Sequence, residues 1–199
     1  KSKNCNINKF IRNFEKPNKN EATIYNTVKD SIIEQELVFF GGHAIYFYSK
    51  YMSKEQRSNR LETPDFDILA EDSYKASLAI KKKLEKAGLT NIEINKKDSI
   101  GEIIAIHYEL IVDNETVAFI YESVACHSYN NIIVNKKVVK IATIDTMLSF
   151  YLAFIYTNRP YYDINRILCM SEYLFKVQSQ NRLEQKGVLR RFSINCYGK

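Results

Sequence analysis

The stretch Pro64-Asp65-Phe66-Asp67-Ile68-Leu69-Ala70 constrains this chain more than any other. In a β-strand residues i and i+2 project from the same face. Asp65 and Asp67 then point one way, and Phe66 and Ile68 point the other way, into a core. Two carboxylates on one face are hard to keep ionised unless a cation sits between them. Pro64 donates no ladder hydrogen bond and suits the first position of such a strand. Upstream, the apolar run Val38-Phe39-Phe40 ends in Gly41-Gly42. Glycines there let the backbone turn sharply and approach an anion closely. A helix opening near His43 would aim its free N–H groups at that anion.

The remaining patterns supply a scaffold for these two features. Ile24, Tyr25, Val28, Ile32 and Ile33 recur with a helical period from Glu21, and Ala44, Ile45, Phe47, Tyr48, Tyr51 and Met52 do so over 43–52. Residues 53–63 form a polar loop. Asp72 or Ser73 caps a helix running to Ala87, and Gly88 stops it. Ile92 to Ile94 reads as a short strand, Glu102 to Val112 as a longer one, and Thr116 to Val124 as its antiparallel partner across an Asp113-Asn114 turn. A second hairpin turns at Asn135-Lys136. Two helices follow, from Ile144 to about Tyr156 and from about Asp163 to Val177, separated by Arg159-Pro160. The fold class is therefore α+β, a mixed sheet with packed helices and a C-terminal helical segment. The expected organisation is an arm over 1–20, a core over 21–142, and a helical segment with a basic tail over 143–199. The lack of an initiator Met implies processing or a longer parent chain.

Net charge is +6, with Lys81-Lys82-Lys83, Lys96-Lys97, Lys136-Lys137 and Arg190-Arg191 in groups. Positive excess favours polyanions through counterion release. No apolar run is long enough to span a bilayer, and KSKNCNINKF is not a signal peptide. Cys5, Cys126, Cys169 and Cys196 show no metal-finger spacing and read as free thiols in a reducing compartment. His43, His107 and His127 are not at ligand spacing. His43 reads as a surface or helix-start residue, and His107 as a satisfied sheet histidine. Adjacent Cys126 and His127 point apart in a strand, which argues against a nucleophile pair. Tyr161-Tyr162 beside Arg159 is the best exposed aromatic–basic cluster for stacking bases, although a packed helix junction explains it better.

Paired aspartates beside a glycine turn suit Mg²⁺ (or Mn²⁺) and a triphosphate, the needs of nucleotidyl transfer. A third carboxylate usually completes the metal cage. Glu102, Glu109, Asp113, Glu115 and Glu122 are the candidates. Glu122, at the end of a strand apolar on both faces, is the choice, because a carboxylate there needs a partner or a metal; Glu109 stands second.

FFGGHAI followed by TPDFDIL, with Ala105-Ile106-His107 ahead of the third carboxylate, resembles the catalytic subunits of poly(A) polymerases of large nucleocytoplasmic DNA viruses, mimivirus-like and poxvirus-like, within the nucleotidyltransferase superfamily. The resemblance covers about Leu37 to Tyr156. It implies catalytic and metal-binding roles for Asp65, Asp67 and Glu122, nucleotide binding by Gly41 and Gly42, and ATP as substrate. It also implies an RNA 3′ end as acceptor, a homodimer or partner subunit, and a site of action in host cytoplasm or virion. Glu122 stands where that family has Asp, which favours a second reading, a non-catalytic scaffold. A third is another minimal nucleotidyltransferase acting on a protein or small molecule.

Overall fold

The computed structural model describes residue 5 and residues 20–57, 65–191 and 193–198. The expected arm over 1–20 (apart from Cys5 and Asn20), Pro64 and half of the polar loop lie outside the described residues. Five helices and eight strands follow in the order α1 (Glu21–Glu34), β1 (Val38–Phe40), α2 (Gly41–Ser49), β2 (Phe66–Ala70), α3 (Ser73–Lys86), β3 (Ile92–Lys97), β4 (His107–Val112), β5 (Glu115–Glu122), β6 (His127–Val134), β7 (Lys137–Ala142), α4 (Ile144–Thr157), α5 (Ile164–Gln180) and β8 (Cys196–Tyr197).

All eight strands join one mixed sheet in the order β3-β4-β5-β2-β1-β7-β6-β8. Its centre is fully buried: Phe39, Phe40, Ile68, Leu69 and Ile120 have no exposed surface. Strand β2 runs antiparallel to β1, with Phe40 opposite Asp67, and parallel to β5, with Asp67 opposite Phe119. Alternation then sorts the side chains between two faces. Phe39, Phe66 and Ile68 lie on one face, where Tyr25 of α1 meets Phe66 at 5.2 Å between ring centroids. Phe40, Asp67, Phe119 and Tyr121 lie on the other, where Phe150 of α4 stacks on Phe40 at 4.8 Å and Phe154 meets Tyr121 at 5.9 Å.

Local sequence explains the boundaries. Asp72 caps α3 by accepting a hydrogen bond from Lys75 N at 2.9 Å, Thr143 caps α4 and Asp163 caps α5 in the same manner. The hairpin turns at Asp113-Asn114 and Asn135-Lys136 each hold two consecutive residues of positive φ, the geometry that two-residue hairpins require. Strand β4 starts at His107 instead of Glu102, because residues 100–104 close on themselves through an Ile100–Ile104 bridge. Glu102 lies exposed in that turn.

The cysteines overturn the free-thiol expectation. Cys5 is bonded to Cys169 of α5, and Cys126, just before β6, to Cys196 of β8, with Cα separations of 5.3 and 5.2 Å. Those separations suit a disulfide. The basic tail is accordingly tied to the sheet. Its Gly187–Leu189 turn buries Val188 and Leu189, and β8 pairs with the edge of β6.

Candidate active site

Asp65 immediately precedes β2 and Asp67 lies within it, as the alternation requires. Phe66 and Ile68 are buried on the opposite face. The β1–α2 junction comes against Asp67. Gly41 has φ +63°, and a Cβ built there would overlap the Asp67 carboxylate, standing 2.8 Å from its Cγ. Only glycine allows both this backbone conformation and this approach. Helix α2 opens at the same point, and its N-cap residue, Phe40, makes no side-chain hydrogen bond to it. Its first N–H groups therefore lie beside Asp67 at the end of β1 with positive helix-end potential.

Around the aspartates is a cavity of about 290 Å³, at the small end for a ligand pocket. One wall is sheet: Asp67 from β2 with Asp65 just before it, Phe119 and Tyr121 from β5, His107 and Glu109 from β4, and Lys97 from β3. The other wall comes from the α4–α5 junction, including Phe154, Tyr162, Asp163 and Arg166. The Arg166 guanidinium stands 3.8 Å from an Asp65 oxygen, and its Nε is buried without a hydrogen-bond partner. Tyr162 stacks on Phe154 at 4.6 Å, while Tyr161 is largely exposed at the rim. Burial first, and then the Asp67 charge, push the Tyr121 phenol well above its ordinary value. It stays a neutral hydroxyl.

Glu122 does not stand with the aspartates. Strands β5 and β2 are parallel, and Glu122 lies opposite Ala70, three residues further along than the Asp67–Phe119 pair. Three residues reverse the face and advance the chain by roughly 10 Å. Glu122 instead accepts a hydrogen bond from Ser73 Oγ at 2.9 Å, at the start of α3. The partner that a half-buried carboxylate needs is a helix-start serine, and Glu122 is removed from the proposed metal set. In the row that crosses the sheet at Asp67, β5 supplies Phe119 and β4 supplies Glu109.

Glu109 is the third acid that the fold brings to the cavity wall from the sheet. Its side chain is 14% exposed and pairs with Lys97 at 3.0 Å. Thr116 Oγ1 donates to it at 2.6 Å. Among the described residues no three His, Cys, Asp or Glu groups come close enough to hold a metal ion together. Asp65 and Asp67 nonetheless form a donor set of the right chemistry, hard oxygens on one face. As a pair of hard oxygen donors they would suit a divalent cation.

The histidines divide. His107 is buried as expected, stacked on Tyr121 at 4.4 Å with Nδ1 3.1 Å from the Ala105 carbonyl. His43 is not a surface residue. It is 6% exposed and ringed by Phe39, Phe47 and Phe66. Sequence reasoning missed Arg166, although a signal existed. On α5 Arg166 is spaced four, seven and eleven residues before Met170, Tyr173 and Val177, which are all buried. A cation in an apolar helical stripe asks for an acidic partner or ligand.

The fold has a counterpart of known structure. The crystal structure of the Megavirus polyadenylate synthase superposes with a TM-score of 0.68 at 14% identity, covering 95% of this chain and 42% of that one. This chain thus spans less than half the length of that protein. Two further likenesses are weaker. The solution structure of the antibiotic-resistance factor ANT(2″)-Ia gives a TM-score of 0.45 at 12% identity, covering 81% and 91% of the two chains. An antigenic nucleotidyltransferase-like protein from Paracoccidioides brasiliensis gives 0.36 at 16%, covering 88% and 94%. At those scores neither carries an argument. No protein-family profile and no curated protein sequence matches this chain.

Proposed function

We propose that this chain transfers AMP from ATP to the 3′ end of RNA without a template, as a poly(A) polymerase does. One observation carries the transferase reading: Asp67 is held against the Gly41 turn at the start of α2, with Asp65 beside it in the same cavity. A turn with no Cβ next to a carboxylate pair brings backbone donors and metal-binding oxygens to one triphosphate.

Each group then has a task. The first N–H groups of α2 bind the leaving phosphates. Arg166, released from Asp65 by the incoming nucleotide, turns its unsatisfied Nε toward a phosphate oxygen. Asp65 and Asp67 would hold Mg²⁺ or Mn²⁺, which when bound neutralises triphosphate charge and fixes the α-phosphate. Tyr162 and Phe154 close the apolar side and exclude water. The preference for an RNA acceptor rests on the +6 net charge and on the motif resemblance.

The test is incubation of the complete protein with labelled ATP, Mg²⁺ or Mn²⁺, and an oligo(U) or oligo(A) primer, repeated with each other nucleotide. Extension by adenylate alone supports the proposal. Transfer to a protein or small molecule but not to RNA would keep the transferase and replace the acceptor. A second reading, a nucleotidyltransferase-like scaffold without activity, is favoured by Phe119 standing in the row where a third carboxylate would face Asp67. ATP binding without transfer to any acceptor would establish it.

A further inference from the structure

We propose that Glu109 serves the acceptor side of this site, taking the proton of the attacking hydroxyl, and so replaces from β4 a carboxylate missing from β5. The inference rests on the transferase reading above.

The argument starts from the direction of the reaction. Phosphoryl groups transfer with attacking and leaving oxygens roughly in line. The leaving side is fixed by the Gly41 turn and the start of α2, which adjoin Asp67 from β1. The attacking hydroxyl must then approach from the opposite side of Asp67, over β5 and β4. The row there reads Phe40, Asp67, Phe119 and Glu109 on β1, β2, β5 and β4, all on one face. Phe119 has nothing to accept a proton. Glu109 is the next side chain along the row, and it lines the same cavity.

Two strand separations place the Glu109 backbone roughly 9–10 Å from that of Asp67, and among the described residues no three acids come close enough to hold a metal ion together. The two side chains project from one face and leave room between them for a reacting group. An attacking oxygen lies about 3–3.5 Å from its target and about 2.6–3.2 Å from its base. Phosphorus and base are then roughly 6 Å apart, within the span that the two strands provide.

Two neighbours hold Glu109 for the task. Thr116 Oγ1 donates to Oε1 at 2.6 Å, and Lys97 Nζ lies 3.0 Å from Oε2. Both contacts fix the orientation of the Glu109 carboxylate at the cavity wall. In the step, the hydroxyl oxygen forms a bond to the α-phosphorus as the bond from phosphorus to the bridging pyrophosphate oxygen breaks. The electron pair of that bond leaves with pyrophosphate. The hydroxyl proton moves to the Glu109 carboxylate and from there to water.

The test uses the complete protein and compares wild type, Glu109→Gln, Glu122→Gln and the double variant Glu109→Gln/Phe119→Asp. Rates with ATP and an oligo(A) primer are measured beside ATP affinity by calorimetry and Mn²⁺ affinity by paramagnetic resonance. Glu109→Gln is expected to slow transfer by about 10²-fold or more, with ATP and Mn²⁺ affinities within twofold of wild type. Glu122→Gln is expected to retain its rate. The double variant, with a carboxylate one strand nearer to Asp67, is expected to recover at least tenfold. A Glu109→Gln rate within threefold of wild type would overturn the proposal. So would a fall in Mn²⁺ affinity matching the fall in rate, which would make Glu109 a metal ligand. Unfolding of Glu109→Gln that the double variant does not repair, with no recovery of rate, would also overturn it, leaving Glu109 a structural partner of Lys97. Wild-type protein that binds ATP and transfers to nothing would instead defeat the transferase reading itself, and the proposal with it.

Discussion

Asp65 and Asp67 are two residues apart and face one cavity, yet their neighbours differ, and losing them has different consequences. Asp67 touches the Gly41 turn. Asp65 faces Arg166 at 3.8 Å, an ion pair largely shielded from solvent. Replacing either by Ala should cost at least ~10³-fold in transfer rate, since a lost metal-binding carboxylate removes several kcal/mol of transition-state stabilisation. Stability should separate them. Asp67→Ala relieves crowding between carboxylates and should hold or raise the metal-free Tm. Asp65→Ala leaves the Arg166 guanidinium short of its partner, a loss on the order of 1 kcal/mol. For a chain of this size that is a fall of about 2–4 °C. Calorimetric melting and single-turnover transfer on the two variants check both parts. Near-normal transfer by either one would remove the metal-site reading.

At the scale of the element, the sequence revealed strands and helices more readily than it revealed their neighbours. The alternation in Asp65 to Ala70, the Asp72 cap and both hairpin turns are local signals, and each element stands where its signal lies. Glu122 was misplaced because β5 is apolar on both faces, so its pattern does not say which face a terminal carboxylate takes. That was decided by parallel pairing with β2, a contact across some 50 residues that no local spacing encodes. His43 sits at a helix start, as read, but only the packing of Phe39, Phe47 and Phe66 buries it. The disulfides join residues 164 and 70 positions apart, again without a local mark. The same burial makes a prediction for β4 and β6. Desolvation lowers the pKa of His107 and of His127 below the ordinary 6.5. Between the folded and unfolded values the unfolded chain binds protons that the folded one does not. Stability is then fully present above about pH 6.5, falls as pH drops through that value, and levels off below the folded pKa. Melting temperatures measured from pH 7.5 to 5 should decline, and His107→Gln should flatten the decline. An unchanged slope in that variant would show that His107 is not a source of it.

For the whole molecule, the question is what the excess of Lys and Arg is for. The chain carries 29 Lys and Arg against 23 Asp and Glu, but part of the positive charge is spent internally. Lys140 faces Glu36 at 2.9 Å, Lys97 faces Glu109, and Arg191 forms a two-point contact with Asp145 at the start of α4. Asp145 also raises the Arg191 pKa, chiefly through that side-chain hydrogen bond. Arg191 is therefore partly engaged in holding the tail to α4, which the basic run Arg190-Arg191 does not show by itself. If the acceptor is RNA, binding should weaken steeply with salt, because single strands release counterions at each neutralised phosphate. A slope of log affinity on log salt near −3 would correspond to roughly four contacts. Replacing Arg190 and Arg191 together by Gln should lower RNA affinity and leave ATP affinity alone. Because Arg191 also pairs with Asp145, the single Arg190→Gln variant is needed beside it. RNA affinity lost in Arg190→Gln without a change in Tm is a phosphate contact. Affinity lost only when Arg191 goes, in step with Tm, is a loosened tail. Fluorescence titration of a labelled oligo(A) at several salt concentrations provides the measurement. A flat salt dependence up to physiological ionic strength would move the proposed acceptor from RNA to a protein or a small molecule, while leaving the proposal for the nucleotide end of the cavity untouched.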